Sequence, residues 1–523
     1  MPDYGIGSWP ERRARISGAA VALRQAGREL SYAELAARVE TLARALAGRG
    51  VGHGDRVAYL GLNDIAGFEV FFAAGRLGAV FVPLNTRLTA SEIGSLLDDS
   101  RPAVMVYGPE LASTVAAADP AAHGVGLLVP AAGAGPGGYA GLVAAGRDCP
   151  AVNRDVSLDD DAVILYTSGT TGRPKGAVLT HGNLTFNTMN QLAHADFLST
   201  DTALCICPLF HATGLGQVTL PTMFKGGSVV VVAKFDPAAV LSLIERLHVT
   251  SFAAVPTMLQ MMCDHPRFGP ASLSSLRIVI YGGSSIAGRV ATAWHERGVE
   301  ILQGYGMTEA APGVCLAVPG PAASRLMSAG VPHFFTDIAL APAGAGTAAP
   351  GEGGELLARG LNVFRGYWNR LADTRDAFSD GWFRSGDVVR IADDGWCYVS
   401  DRVKDVIISG GENIYPAEVE AAIDALPGVT ASAVIAYPDE RWGEVGLAFA
   451  VADPGAWTAE SLRGALAGSL AAFKIPRHVR FVEDLPRTAT GKVRRADLRA
   501  AAGLPDMAAP PTHETGETHA DNR

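Results

Sequence analysis

The segment Tyr166-Thr-Ser-Gly-Thr-Thr-Gly-Arg-Pro-Lys175-Gly176 decides how this chain is read. It follows the apolar run Ala162–Tyr166, which predicts a buried strand opening into a loop. Gly169, Gly172 and Gly176 allow positive φ and close backbone approach. Thr167, Ser168, Thr170 and Thr171 supply hydroxyls, and Lys175 supplies a cation. Such a loop presents amide and hydroxyl donors to a polyphosphate. It is not a Walker A loop, because Lys175 is followed by Gly176 and not by Ser or Thr.

Outward from this loop the chain alternates strands and helices. Val57–Leu60, Ala79–Leu84 and Ala103–Tyr107 precede it as short apolar runs, and Gly227–Ala233, Ser251–Val255 and Arg277–Tyr281 follow. Between them, Ser31-Tyr-Ala-Glu34 and Thr89-Ala-Ser-Glu92 are capping boxes that predict helix starts. Phe68–Leu77 and Asp236–His248 read as helices. The pattern predicts an α/β fold with a parallel sheet flanked by helices. Ala131–Gly138 reads as a loop. Near Asp401–Lys404 the pattern changes to a compact unit of its own. It has a helix from Pro416, strands at Ser432–Tyr437 and Leu447–Val451, and a helix carrying Leu462, Leu466, Leu470 and Phe473. From Asp506 the chain loses periodicity and reads as a disordered tail.

Composition narrows the class. The 523 residues carry a net charge of −10, 18% charged residues and 48% hydrophobic ones. That excludes a disordered chain and argues against a nucleic-acid coat. The exception is Lys474–Arg499, with eight basic residues against three acidic ones. Six cysteines without a CxxC pair point to a reduced, cytoplasmic protein. Neither a signal pattern nor a membrane-spanning apolar run is visible.

Further motifs follow the loop: Pro208-Leu-Phe-His211, Tyr281-Gly-Gly-Ser284, Gly304-Tyr-Gly-Met-Thr-Glu309, Ser385-Gly-Asp387, Asp401-Arg-Val-Lys404-Asp405 and Pro486-Arg-Thr-Ala-Thr-Gly-Lys492. The ordered set resembles the adenylate-forming enzymes, which include acyl-CoA synthetases, peptide-synthetase adenylation domains and firefly-type luciferases. The resemblance spans about Leu30 to Ala500. It implies a large N-terminal body (1–402) of stacked mixed and parallel sheets flanked by helices. A small mobile α+β lid (403–505) and a tail (506–523) would follow. The implied reaction has two half-steps. A carboxylate attacks the α-phosphate of ATP, giving an acyl-adenylate and pyrophosphate, and a thiol then takes the acyl group and releases AMP.

The resemblance also implies roles. The loop Thr167–Gly172 with Lys175 would hold the phosphates, and Glu309 with Thr167 would bind Mg²⁺. Thr308 would donate to the α-phosphate. Tyr305 would pack on adenine, with Gly283 and Gly304 giving backbone access. Asp387 would accept from the ribose hydroxyls, and Arg402 would reach the ribose or phosphate. Lys492 would bridge the incoming carboxylate and the α-phosphate. Lys404 would be the hinge about which the lid turns, bringing Gly410 and Gly411 to the thiol's path. His211 (more a gate or pocket wall than a general base), Gly214 and Pro256 would line the acyl and thiol channel.

No Asp stands between Phe210 and Leu220 to meet an amino acid's ammonium, and 211–217 is small or apolar apart from His211, Thr213 and Gln217. A medium- or long-chain fatty acid is therefore the expected substrate, with an aryl acid as the alternative. CoA is the expected acceptor. A free acyl carrier protein is the runner-up, because the basic stretch would suit an acidic carrier. An inactive nucleotide-binding scaffold is disfavoured by intact Lys492, Glu309 and Asp387. A homo-oligomer is compatible with the sequence.

Overall fold

The computed structural model describes residues 3–504 apart from 133, 134, 136, 168–173, 284, 285, 287, 319–327, 343–352, 403, 404, 406, 410, 411, 440, 441, 454, 468, 469, 471, 489 and 490, with backbone alone at 400–402, 408, 412, 413 and 443. The predicted tail from Asp506 lies outside the described residues. Contacts divide the chain into two units. The larger runs to residue 406 and takes in Gly491 and Lys492, while the smaller holds Ile407–Thr488 and the chain from Val493.

In the larger unit, the strands Arg56–Leu60, Val80–Pro83, Val104–Tyr107, Leu127–Pro130 and Asp161–Thr167 pair in parallel. Lys175–Thr180 and Gly366–Tyr367 extend that sheet in antiparallel fashion. A second sheet has a parallel centre of Val21–Gln25, Ser228–Val231, Thr202–Cys205, Ser251–Ala254, Ile278–Gly282 and Ile301–Gly306. Strands such as Val80–Pro83 and Ser228–Val231 are buried along their whole length. Covered on both faces, they read in sequence as unbroken apolar runs and not as alternation. A third, antiparallel sheet contains Thr336–Pro342, Gly354–Gly360, Trp382–Ile391 and Cys397–Arg402.

Helices sit where the caps place them. Ser31 and Thr89 each close a capping box, opening Tyr32–Ala47 and Ala90–Ser100. The helix Ile65–Leu77 is buried almost all round and includes Glu69. The Glu69 carboxylate takes a 2.6 Å bond from the Tyr139 hydroxyl and an ion pair from Arg38, so its buried charge is compensated. The helix His181–His194 has no apolar stripe, and the sequence does not reveal it. It is buried through its amides. Asn183 donates to the carbonyls of Leu361 and Val363, and Asn187 donates to Gly216 O and accepts from Gly313 N. This polar helix therefore ties together segments far apart in sequence.

In the smaller unit, Val429–Asp439 and Gly443–Ala452 form a long hairpin, joined in parallel by His478–Phe481. The helices Pro416–Asp424 and Ala459–Leu466 bring Val419, Ile423, Leu462 and Leu466 into its core. The predicted second helix stops at Leu466, and Phe473 is exposed. Ala467 stands at the helix C-cap. A further helix, Arg495–Ala501, is not apparent from the sequence. No helix among the described residues is long and apolar enough to cross a membrane.

Candidate active site

The predicted phosphate loop leaves the strand Asp161–Thr167 and returns as the strand Lys175–Thr180, with Thr167 opposite Lys175 in register. Thr167 Oγ1 donates to Lys175 O at 3.3 Å, which closes the neck of the loop. Ser168, Gly169, Thr170, Thr171 and Gly172 lie outside the described residues. The Lys175 ammonium pairs with Asp373 and lies 5.3 Å from the Tyr367 ring centre. The Tyr367 hydroxyl donates at 2.8 Å to Glu309 Oε1. Glu309 sits with Thr308 on the short 3₁₀ turn Thr308–Ala310, and its backbone carbonyl accepts from Phe364 N at 2.7 Å. The structure thus joins two sequence motifs, Thr167/Lys175 and Thr308/Glu309, through Tyr367.

A second pair lies deeper. Tyr305, on Ile301–Gly306, donates its hydroxyl at 2.8 Å to Asp387 Oδ2 on Trp382–Ile391. Both are buried, and Asp387 N donates to Ser385 Oγ at 3.1 Å. Burial first, and then the Asp387 charge, push the Tyr305 phenol well above its ordinary value, so it stays a donor. Asp387 stands opposite Arg402 in the Trp382–Ile391/Cys397–Arg402 ladder, which places the two predicted ribose partners at one sheet position. The Arg402 side chain lies outside the described residues, as do Lys404, Gly410 and Gly411.

The third group surrounds the strand ends. Gly282 pairs with Gly304 in register, and Gly283 follows at φ +91°. A Cβ on Gly304 would lie 2.5 Å from Gln217 Nε2, so only glycine admits that side chain there. Gln217 is 5% exposed, and its carboxamide has no hydrogen-bond partner among the described residues. His211 precedes the helix Ala212–Gly216 at the N-cap position, without a side-chain bond to it, and lies against Phe210, with ring centres 4.6 Å apart. Burial, assisted by the Arg87 charge, lowers its pKa to about 4, so the ring is neutral at physiological pH. Gly214 is buried, and a Cβ there would meet Pro208 O at 2.2 Å, so its lack of a side chain serves packing of the helix on the chain. Pro256 opens the helix Pro256–Cys263 directly after the strand Ser251–Ala254.

Lys492 is exposed and groups by contacts with the larger unit. The basic stretch around it is less free than its composition suggests. Lys474 pairs with Glu418, Arg477 with Asp439, Arg494 with Asp497 and Arg495 with Glu420. Four of the eight basic residues are thus paired inside their own unit, which weakens the case for a basic surface that docks an acidic carrier.

Glu309 and Thr167 offer oxygen donors of the kind Mg²⁺ takes. No cluster of three His, Cys, Asp or Glu side chains suited to a resident metal occurs among the described residues. Glu309 and Thr167 are the residues that would hold an ion arriving with a nucleotide.

The model of the AMP-binding enzymes matches residues 10–368, and that of their C-terminal domain matches 418–492. The chain belongs to the AMP-binding enzyme family. It is an adenylate-forming ligase of the acyl-CoA synthetase type, and the enzymes of this family use ATP with Mg²⁺ and take CoA as co-substrate. A feruloyl-CoA synthase of Amycolatopsis is 49% identical over 504 residues, covering 96% of this chain and all of its own. A long-chain fatty-acid–CoA ligase of Mycobacterium tuberculosis is 37% identical over 470 residues, covering 90% and 92%. The anthranilate–CoA ligase AuaEII, solved with anthranoyl-AMP, superposes with a TM-score of 0.88 at 27% identity and covers 96% and 98% of the two chains.

Sequence reasoning missed Tyr367, Asp373 and the importance of Gln217. The available signal for Tyr367 was its glycine neighbour. Gly366-Tyr367 repeats the Gly304-Tyr305 pairing of a close-packed backbone with an aromatic donor.

Proposed function

We propose that this AMP-binding enzyme activates an aryl carboxylic acid of the hydroxycinnamate kind and transfers it to CoA. The observation that carries this reading is the 49% identity to a feruloyl-CoA synthase along the whole of that protein. Gln217 supports it. A carboxamide that no described residue engages is available to a substrate that brings a hydroxyl or ether oxygen, and gains nothing from an alkyl chain. The preference for a fatty acid, drawn from the small and apolar character of 211–217, gives way on these two grounds. The 37% identity to a long-chain fatty-acid ligase keeps fatty acids as the second reading.

In this reading residues 1–402 are the adenylating body and 403–505 the lid turning about Lys404. Thr167 and Lys175 hold the polyphosphate, and Thr308 donates to the α-phosphate. Glu309 and Thr167 hold Mg²⁺, which supplies charge neutralisation at the phosphates. Tyr305 and Asp387 fix the nucleoside. Lys492 relieves the repulsion between the substrate carboxylate and the α-phosphate as they close. Gly410 and Gly411 would admit the thiol, with CoA preferred over a carrier protein because half of the basic residues are paired. All six cysteines are free thiols, in keeping with the reducing cytoplasm we assign.

The test compares hydroxylated cinnamates, unsubstituted cinnamate and C8–C18 fatty acids, first in the wild type and then in Gln217→Leu. The expected result is a wild-type preference for the hydroxylated acids that falls about tenfold in the variant. An unchanged ranking would remove Gln217 from the specificity account.

A further inference from the structure

We propose that Tyr367 is a positioning residue that holds the Glu309 carboxylate and the Lys175 ammonium in one frame, so that the metal-bearing and phosphate-bearing groups are set before nucleotide arrives. The inference rests on the reading of Glu309 as the Mg²⁺ carboxylate.

Three observations carry it. The first is the contact itself: the phenol donates to Glu309 Oε1 at 2.8 Å, leaving Oε2 as the oxygen that bond does not engage. Pinning one carboxylate oxygen fixes the plane of the other. The second is the ring face, with Lys175 Nζ at 5.3 Å from its centre. A cation over the ring is attracted by the negative π face, so Tyr367 acts on both charges, beside the Asp373 carboxylate that pairs with Lys175. The third is how firmly Tyr367 is itself held. Its strand Gly366–Tyr367 pairs with Lys175–Thr180, with Tyr367 opposite Ala177. Its N–H donates to Thr374 Oγ1 at 2.8 Å, and the Phe364 ring meets it edge-on at 4.9 Å. Gly366 lies at φ +147°, where a Cβ would strike Thr374 at 2.6 Å, so the approach of Thr374 to this backbone depends on glycine. Phe364 also donates its N–H to the Glu309 carbonyl at 2.7 Å, so the same turn braces both ends of the contact.

Tyr367→Phe tests this, because it removes the hydroxyl and keeps the ring for Lys175 and Phe364. The full chain would be titrated calorimetrically with ATP, once with excess Mg²⁺ and once with EDTA. Expected is about a tenfold weaker affinity for MgATP and less than a twofold change for metal-free ATP, with a thermal midpoint close to wild type. Glu309→Gln should weaken MgATP binding on its own, and the double variant should be no weaker than Glu309→Gln. Equal weakening in both titrations, no change in either, or additive losses in the double variant would overturn the positioning role. If wild type gains nothing from Mg²⁺, the reading of Glu309 itself fails, and the inference falls with it. If wild type gains and Tyr367→Phe gains equally, only the inference falls.

Discussion

The Tyr305 hydroxyl donates to Asp387 Oδ2 at 2.8 Å, linking the second sheet to the antiparallel one through a buried neutral phenol and a buried carboxylate. The bond fixes the carboxylate assigned to the ribose, and it fixes the ring assigned to adenine. Losing it leaves a buried charge with one donor fewer, at a cost of about 1–3 kcal/mol. Tyr305→Phe should therefore raise KM for ATP about tenfold and lower the melting temperature, while KM for the acid stays within twofold. Steady-state kinetics with each substrate varied in turn, beside a thermal melt, check both effects. An unchanged KM for ATP would separate this pair from the nucleoside.

Lys492 is assigned to the first half-reaction alone. Removing one group aimed at charge that develops in a transition state costs about two to three orders of magnitude in rate. Lys492→Ala should thus slow pyrophosphate release by that factor. It should still make thioester from a presynthesised acyl-adenylate and CoA at near wild-type rate. Rapid-quench measurement of the two half-reactions separates the effects, and normal adenylation by the variant would refute the role.

The fold should be acid-sensitive. His181 is fully buried, with Nδ1 accepting the Ile6 N–H at 3.2 Å and Nε2 without a partner. Burial lowers its pKa from 6.5 to about 4, against an opposing pull from Asp160. His333 is lowered further, to about 3, by burial and by the neighbouring His194. Between these values and 6.5 the unfolded chain takes up protons that the fold refuses. Stability is therefore full above about pH 6.5 and is lost as pH falls toward 4, by up to roughly 3 kcal/mol for His181 alone. The melting temperature should drop from pH 7 to pH 5. In His181→Asn, which keeps an acceptor near the Nδ1 position, it should start lower and fall less steeply. A variant as pH-dependent as wild type would place the sensitivity elsewhere.

What could be read in the sequence follows from how each part is stabilised. Capping boxes at Ser31 and Thr89 and the apolar runs at Val80–Pro83 and Ile278–Gly282 are local signals, and their elements form as expected. The helix His181–His194 gave no such signal, because its buried face is made of Asn and Gln amides that meet carbonyls far away in sequence. The same holds for the site. Thr167, Lys175, Tyr305, Glu309 and Asp387 stand in recognisable strings, whereas Tyr367 and Gln217 matter through contacts that only the folded chain creates. The basic stretch shows the converse, since Glu418, Glu420 and Asp439, which neutralise it, precede it by dozens of residues.

The central claim is best tested by incubating the purified protein with ATP, Mg²⁺, a mixture of aryl and fatty acids, and both CoA and a free acyl carrier protein, then reading nucleotide and thioester products by mass spectrometry. The account predicts AMP in equal amount with a hydroxycinnamoyl-CoA thioester. ADP as the nucleotide product, acylation of the carrier protein in place of CoA, or a fatty-acyl-CoA as the dominant thioester would contradict it.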